Sequence, residues 1–336
     1  METAYFGVDG QPCLHKDGYA GWRAKYDERG NRIERAYFGV DGKPCLHKDG
    51  YAKVTVKYDE RGNRVEFAYF GVDGQPCLFK DGVAKVTLKY DDRGNEVEQA
   101  CFGVDGKPCL HRDGYASKKW QYDERGNQIE AACFGVDGKP CLHRDGYASK
   151  KWQYDERGNK IEAAYFGLNG KPCLCNEGYA TVTMKYDERG NIIEQAYFGV
   201  DGQPCLSKDD GYAKLTSKYD ERGNIIEFTF FGLDDLPYLY KDSYAKWMLK
   251  YDERGNVIEH AYFGVDDKPC LSKYDGYARW KAKYDERGNI IEQAYFGVDG
   301  KPCLWEGRFA SMKRRYDERG KLLETVFFDI DGKPIK

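Results

Sequence analysis

Apolar and polar residues alternate over 52–58: Ala52, Val54, Val56 and Tyr58 fall on one face, Lys53, Thr55 and Lys57 on the other. A period of two predicts a strand with one half-buried side. The alternation returns at Trp22 and Ala24, Val86 and Leu88, Val182 and Met184, and Trp247 and Leu249; Lys118 and Lys150 interrupt it. No 3.6-residue pattern competes, and the abundance of Gly, β-branched and aromatic residues disfavours helix.

Turn chemistry separates these strands. In Tyr26-Asp27-Glu28-Arg29-Gly30-Asn31, Asp opens a type I turn and Gly30 takes the left-handed position that follows it. A three-residue loop there sets Asp27 opposite Asn31, Ala24 opposite Glu34 and Trp22 opposite Ala36. Val8-Asp9-Gly10-Gln11 reads as a two-residue Asp-Gly turn of type I′, with Phe6 opposite Cys13 and Pro12 at a strand end. Lys16-Asp17-Gly18 predicts an exposed loop or bulge. With these registers Ala36, Phe38 and Cys45 join the apolar face of Trp22, while Tyr19 and Tyr37 line the opposite face. Glu34 then points at the apolar side, within reach of Arg29 or a tyrosine hydroxyl.

The pattern is an internal repeat. Units of 32 residues start at 4, 36, 68, 100, 132, 164, 196, 229, 261 and 294, and a partial, capping unit occupies 326–336. Two units carry one extra residue each, within Lys208-Asp209-Asp210-Gly211 and Lys273-Tyr274-Asp275-Gly276. The predicted fold is all-β, a single repeat array over 1–336. About ten hairpin units form one continuous twisted or superhelical antiparallel sheet, each packing mainly on its neighbours. Each unit holds either three strands or, the favoured reading, one long hairpin kinked at Asp17-Gly18. A parallel solenoid would stack the Arg29 series about 4.8 Å apart, a like-charge ladder. Hairpins instead let Arg and Glu of neighbouring units pair.

Composition narrows the function. Lys plus Arg number 53 against 56 Asp plus Glu, a net charge of −3, which leaves no basic footprint for nucleic acid and no acidic tail. No apolar run reaches the roughly 18 residues of a membrane span, and Met1-Glu2-Thr3-Ala4 lacks the features of a signal peptide. Nine of the twelve cysteines occupy the Pro-Cys-Leu site, where Tyr238 and Ile335 stand in other units. That exchange suits a packed apolar position better than a metal ladder or disulfides. Cys101 and Cys109 are expected on opposite faces and unbridged. Reduced thiols without a signal peptide predict the cytoplasm. His15, His47, His111 and His143 share a site with Phe79, Cys175, Ser207, Tyr240, Ser272 and Trp305, read as exposed and variable. The carboxylates of Asp27, Glu28 and Glu34 recur tenfold with Arg29 among them, which suits turns and ion pairs rather than catalysis or Ca²⁺. No phosphate loop occurs. No catalytic residue, cofactor or metal site is expected.

Tyr58-Asp59-Glu60-Arg61-Gly62-Asn63, followed by an apolar residue and Glu, resembles the core of the bacterial YD repeats of Rhs-type proteins. The hairpin with its Asp-Gly-Lys turn is more weakly similar to variant MORN repeats. The resemblance covers every unit on about six residues and implies tandem hairpins in curved sheets, serving as shells or interaction scaffolds.

The expected function is a non-enzymatic structural or protein-interaction scaffold, able to self-associate through exposed hairpin edges. The alternative is a carbohydrate- or cell-surface-binding array, using aromatic ladders that stack on sugars or quaternary amines. Its candidate binding surface is Tyr19, Tyr37, Tyr51, Tyr69, Tyr165, Tyr197, Tyr262 and Tyr295.

Overall fold

The computed structural model describes residues 1–241 and 243–335; Lys336, in the expected capping unit 326–336, lies outside the described residues, as does Asp242. Strands come two per unit: β1 (Glu2–Ala4), β2 (Gly21–Tyr26), β3 (Arg32–Phe38), β4 (Lys53–Tyr58), β5 (Arg64–Phe70), β6 (Lys85–Tyr90), β7 (Glu96–Phe102), β8 (Ser117–Tyr122), β9 (Gln128–Phe134), β10 (Ser149–Tyr154) and β11 (Lys160–Phe166). They continue as β12 (Thr181–Tyr186), β13 (Ile192–Phe198), β14 (Lys214–Tyr219), β15 (Ile225–Phe231), β16 (Lys246–Tyr251), β17 (Val257–Phe263), β18 (Arg279–Tyr284), β19 (Ile290–Phe296), β20 (Ser311–Tyr316), β21 (Leu322–Phe328) and β22 (Pro334–Ile335). Among the described residues there is no helix, and the strands form one antiparallel sheet of 22. β1 pairs with β2 and β22 with β21, so the sheet is not closed into a barrel.

The chain divides into two compact units, Met1–Tyr154 with Ala164–Asn176, and Asp155–Ala163 with Glu177–Lys336. The same construction runs through each. β2 and β3 pair along their full length, from Gly21↔Phe38 to Tyr26↔Arg32, whereas β3 and β4 share only Glu34↔Thr55, Arg35↔Val54 and Ala36↔Lys53. Beyond that, Phe38 bridges Pro44, on the same side of β3 as β4. The Pro-Cys segment and the following strand therefore flank one strand together, with 46–52 looping out between them. This is the long kinked hairpin, with two strands per unit.

Both turns use one device. Gly30 N–H donates to Asp27 O at 3.0 Å and Asp27 N–H to Asn31 O at 2.9 Å; Gly10 N–H to Gly7 O at 3.0 Å and Gly7 N–H to Gln11 O at 2.8 Å repeat it. Gly30 (φ 83°) and Gly10 (φ 76°) supply the left-handed residue. The second turn is thus a three-residue loop rather than type I′, and Phe6 faces Pro12 instead of Cys13.

A bulge corrects the first register. Tyr26 pairs with Arg32 but Lys25 with Glu34, so Ile33 is extra. Ala24 consequently faces Arg35, and Trp22 faces Tyr37 rather than Ala36. A shift of one residue exchanges faces. Tyr37 joins Trp22, Ala24 and Cys45 on one side, while Ala36, Phe38 and Glu34 turn to the lysine side. Glu34 ion-pairs with Lys25 at 2.9 Å, not with Arg29 or a tyrosine.

Candidate functional site

The tyrosines proposed as a binding surface are core. Tyr19, Tyr37, Tyr51, Tyr165, Tyr197, Tyr262 and Tyr295 are 3–9% exposed, and Tyr69 is half-buried. The segment 46–52 accounts for this, because it brings Tyr51 back over the face that Tyr37 occupies. Rings from the two sites alternate: Tyr5, Tyr19, Tyr37, Tyr51 and Tyr69 follow one another at 5.9, 4.7, 5.7 and 5.1 Å between centroids. In the second compact unit the ladder runs from Tyr179 to Phe327, with steps of 4.7 Å (Tyr179–Tyr197) and 4.5 Å (Phe309–Phe327) at its ends. These separations suit edge and offset ring contacts. Burial pushes the hydroxyl pKa of Tyr212, Tyr244 and Tyr295 up to about 12. Closed rings offer no face to a sugar, so the carbohydrate reading loses the residues that carried it.

The histidine site is part of the same core rather than exposed. His47 lies between Tyr37 and Tyr51 at 5.0 and 5.4 Å, and His143 is buried. Each imidazole Nδ1 accepts from a backbone N–H two residues on, as from Asp49 to His47 at 3.2 Å. Burial lowers the pKa of His47 and His143, disfavouring their charged forms. Where Ser207 and Ser272 replace His, the extra residue of those units places a carboxylate in the gap. Tyr197 donates to Asp210 at 2.6 Å and Tyr262 to Asp275 at 2.7 Å. The two insertions perform one task.

Lys118 and Lys150, which interrupted the apolar pattern, cover rings: Lys118 Nζ is 5.8 Å from the Tyr115 centroid and Lys150 Nζ is 4.5 Å from that of Tyr165. On the other face a cation lies over the phenylalanine of the second strand. Lys53, Lys85, Lys214, Lys246 and Arg279 do this from one site. Where that site is Gly21, Ser117 or Ser149, the cation comes from two residues on, as Arg23, Lys119 or Lys151.

The Tyr-Asp-Glu-Arg-Gly-Asn motif is a clasp between units. Its tyrosine reaches back: Tyr58 Oη donates to Arg32 O at 3.1 Å, and Tyr90, Tyr122 and Tyr154 make the same bond at 2.9 Å to Arg64, Glu96 and Gln128. Its arginine reaches forward, from Arg29 to Glu60 O at 2.7 Å and from Arg61 to Asp92 O at 2.8 Å. The cross-unit partner of arginine is thus a backbone carbonyl, as for Arg29 and Arg61; at Asp92 a carboxylate joins as well, 3.3 Å from Arg61. Asp27 holds the turn by accepting from Asn31 Nδ2 at 3.0 Å and from the backbone N–H of Arg29 and Asn31. The bond from Asn31 holds its carboxyl below the usual range. Loops also join: Lys48 N–H donates to Asp17 O at 2.8 Å.

Among the described residues, no three His, Cys, Asp or Glu side chains are grouped to hold a metal ion, and no helix is long and apolar enough to cross a membrane. A groove is lined by Ile258, Glu259, Lys281, Glu292, Ala294 and Phe296, among others. All twelve cysteines are free thiols. Those at Pro-Cys-Leu are half-buried, and Cys45 Sγ approaches Gly18 O of the preceding unit at 3.8 Å.

The residues that pattern reasoning passed over are the exposed apolar ones. The residue after the glycine that opens the Asp-Gly turn, Val40, Val72, Val104, Val136, Leu168, Val200, Leu233, Val265 and Val298, and Ile330 after Asp329 at the same place, is 52–57% exposed in every one of these units. Leu46, Leu78, Leu110 and Leu142 are exposed after the cysteine. The signal was present in the sequence, since no strand periodicity accounts for an apolar residue inside a turn.

No protein-family model matches the chain, and no curated protein is similar to it in sequence. Among solved structures, it is similar to the Photorhabdus luminescens Tc holotoxin pore at 13% identity and a TM-score of 0.41, and to a TcdB2–TccC3–Cdc42 complex at 13% and 0.39. The alignments cover 97% of this chain but 16% and 15% of those chains, so the chain spans about a sixth of their length.

Proposed function

We propose that the chain is a non-enzymatic scaffold that associates through the row of apolar turn residues, its partner being a second array of the same period. One observation carries this reading. The first central position of a type I turn accepts most residues, yet Val, Leu or Ile stands there in every unit and remains more than half exposed. Nothing in the hairpin needs an apolar group at that point. Successive units place these residues about 10 Å apart, two strand spacings. A second copy carries the same row at the same interval, and matching patches of one kind suit a two-fold contact. Kinship with YD repeats is supported by the way the shared residues act together, as turn, backward tyrosine and forward arginine. Twelve free thiols suit a reducing compartment.

Sedimentation velocity over a range of concentrations tests the proposal. The wild-type chain is expected to associate reversibly. Val72→Asn, Val104→Asn and Val136→Asn together are expected to weaken association more than about tenfold, a loss of ~1.4 kcal/mol, without changing the circular dichroism. A wild-type chain that stays monomeric throughout, or a variant that associates equally well, overturns it.

A further inference from the structure

The aromatic ladder is broken twice in the same way. Where other units place Tyr5, Tyr37 or Tyr69, the fourth and fifth place Cys101 and Cys133, which are 0% and 1% exposed. The Pro-Cys-Leu cysteine is present in those units too, as Cys109 and Cys141. Phe102 bridges Pro108, and Cys109 N–H donates to Cys101 O at 3.0 Å; Phe134, Pro140, Cys141 and Cys133 repeat the arrangement at 3.0 Å. Cys101 therefore stands directly opposite Cys109, and Cys133 opposite Cys141, on one face rather than two. All four pack in one cluster with Val83 and Tyr115. In other units the residue opposite the Pro-Cys-Leu cysteine is a ladder tyrosine, as Tyr37 is to Cys45 and Tyr197 to Cys205.

We propose that Cys101–Cys109 and Cys133–Cys141 are two modification sites, dithiols that close to disulfides by exchange with a small disulfide of the glutathione type. Cys101 N–H donates to Ala116 O rather than to Cys109, so the pair shares a single bond; directly opposite residues of antiparallel strands have Cα atoms about 4.5–5.5 Å apart, within the roughly 4.4–6.8 Å that a disulfide spans. The missing ring leaves the inner sulfur with no aromatic group between it and its partner. In the exchange, the Cys109 thiolate attacks one sulfur of the small disulfide and releases one small thiolate. The Cys101 thiolate then attacks the Cys109 sulfur, the bond to the small molecule breaks, and the second small thiolate leaves. The two protein thiols give up two electrons and two protons; the two small thiols take them up.

Cys109 is the entry point, because it is half-buried at the turn while Cys101 is closed. Burial pushes the Cys101 thiol up to about 12 and the Cys133 thiol up to about 11, which keeps thiolate scarce and closure slow. The Cβ atoms of such pairs sit about 4.5–5.5 Å apart, wider than most relaxed disulfides, so the bridges are strained and reopen readily with reduced thiol.

The test uses the folded, reduced full-length chain, incubated with excess oxidised glutathione, then blocked, unfolded, assayed for thiols and mapped. The expected count falls from twelve to eight, with Cys101 linked to Cys109 and Cys133 to Cys141, and returns to twelve under reduced glutathione. Cys101→Tyr with Cys133→Tyr, which restores the ladder ring, is expected to hold ten thiols before and after. If that variant fails to fold, Cys109→Ser with Cys141→Ser serves the same purpose. A wild-type count unchanged at every glutathione ratio, or stable glutathione adducts on Cys109 and Cys141 without bridges, overturns the proposal.

Discussion

His260 occupies the site that Arg35 holds in the first unit, and it shows how the ladder face treats charge. Its ring lies 4.4 Å from Tyr262 and 5.6 Å from Trp247, and Nε2 has no hydrogen-bond partner among the described residues. Burial lowers its pKa to about 4, against an upward pull from Asp275. The unfolded chain takes up the proton near 6.5 and the folded chain only near 4. Stability from this residue is therefore complete above pH 6.5, is lost as pH falls towards 4, and changes no further below. At about 1.4 kcal/mol per pKa unit, the whole effect is at most about 3.5 kcal/mol. Denaturant midpoints at pH 7 and pH 5 check this. The wild type is expected to lose more stability between them than His260→Gln; equal losses would place a solvated imidazole at 260.

Within each element, sequence and structure agree where chemistry is local and part where register decides. The alternation of Val54 and Val56 with Lys53 and Thr55, and the Asp27–Gly30 turn, were legible because each depends on near neighbours. The bulge at Ile33 was not, because an extra residue in a strand has no residue signature, and its single step moved Tyr37 to the core and Glu34 to Lys25. Legible in neither case was the fold-back of 46–52, which follows no period; it turned a presumed binding face into a buried ladder. Glycines in the two kinds of loop separate these contributions. Gly62 has φ +87° and open space around an added Cβ, so Gly62→Ala is expected to cost about 1–2 kcal/mol of backbone strain. Gly114 has φ +94°, and an added Cβ would lie 2.9 Å from Leu142 O of the next unit's loop. Gly114→Ala is expected to destabilise clearly more, read as a lower denaturant midpoint. Equal midpoints would mean that successive loops do not stack in solution.

Across the molecule, the strands of a unit supply only part of its contacts. Tyr90 of one unit bonds Arg64 of the unit before it, Arg61 bonds Asp92 of the unit after, and the ladder places the ring of Tyr37 between those of Tyr19 and Tyr51. A lone hairpin of two strands has no such partners and is marginal in water. Stability should therefore grow with unit number, as in other one-dimensional arrays. Arrays of one, two, four and eight consecutive units, followed by circular dichroism during chemical unfolding, test this most directly. The single unit is expected to be unfolded, with the midpoint rising at each step and levelling off as end effects fade. A single 32-residue unit that unfolds cooperatively as a monomer, with the midpoint of the eight-unit array, would contradict it.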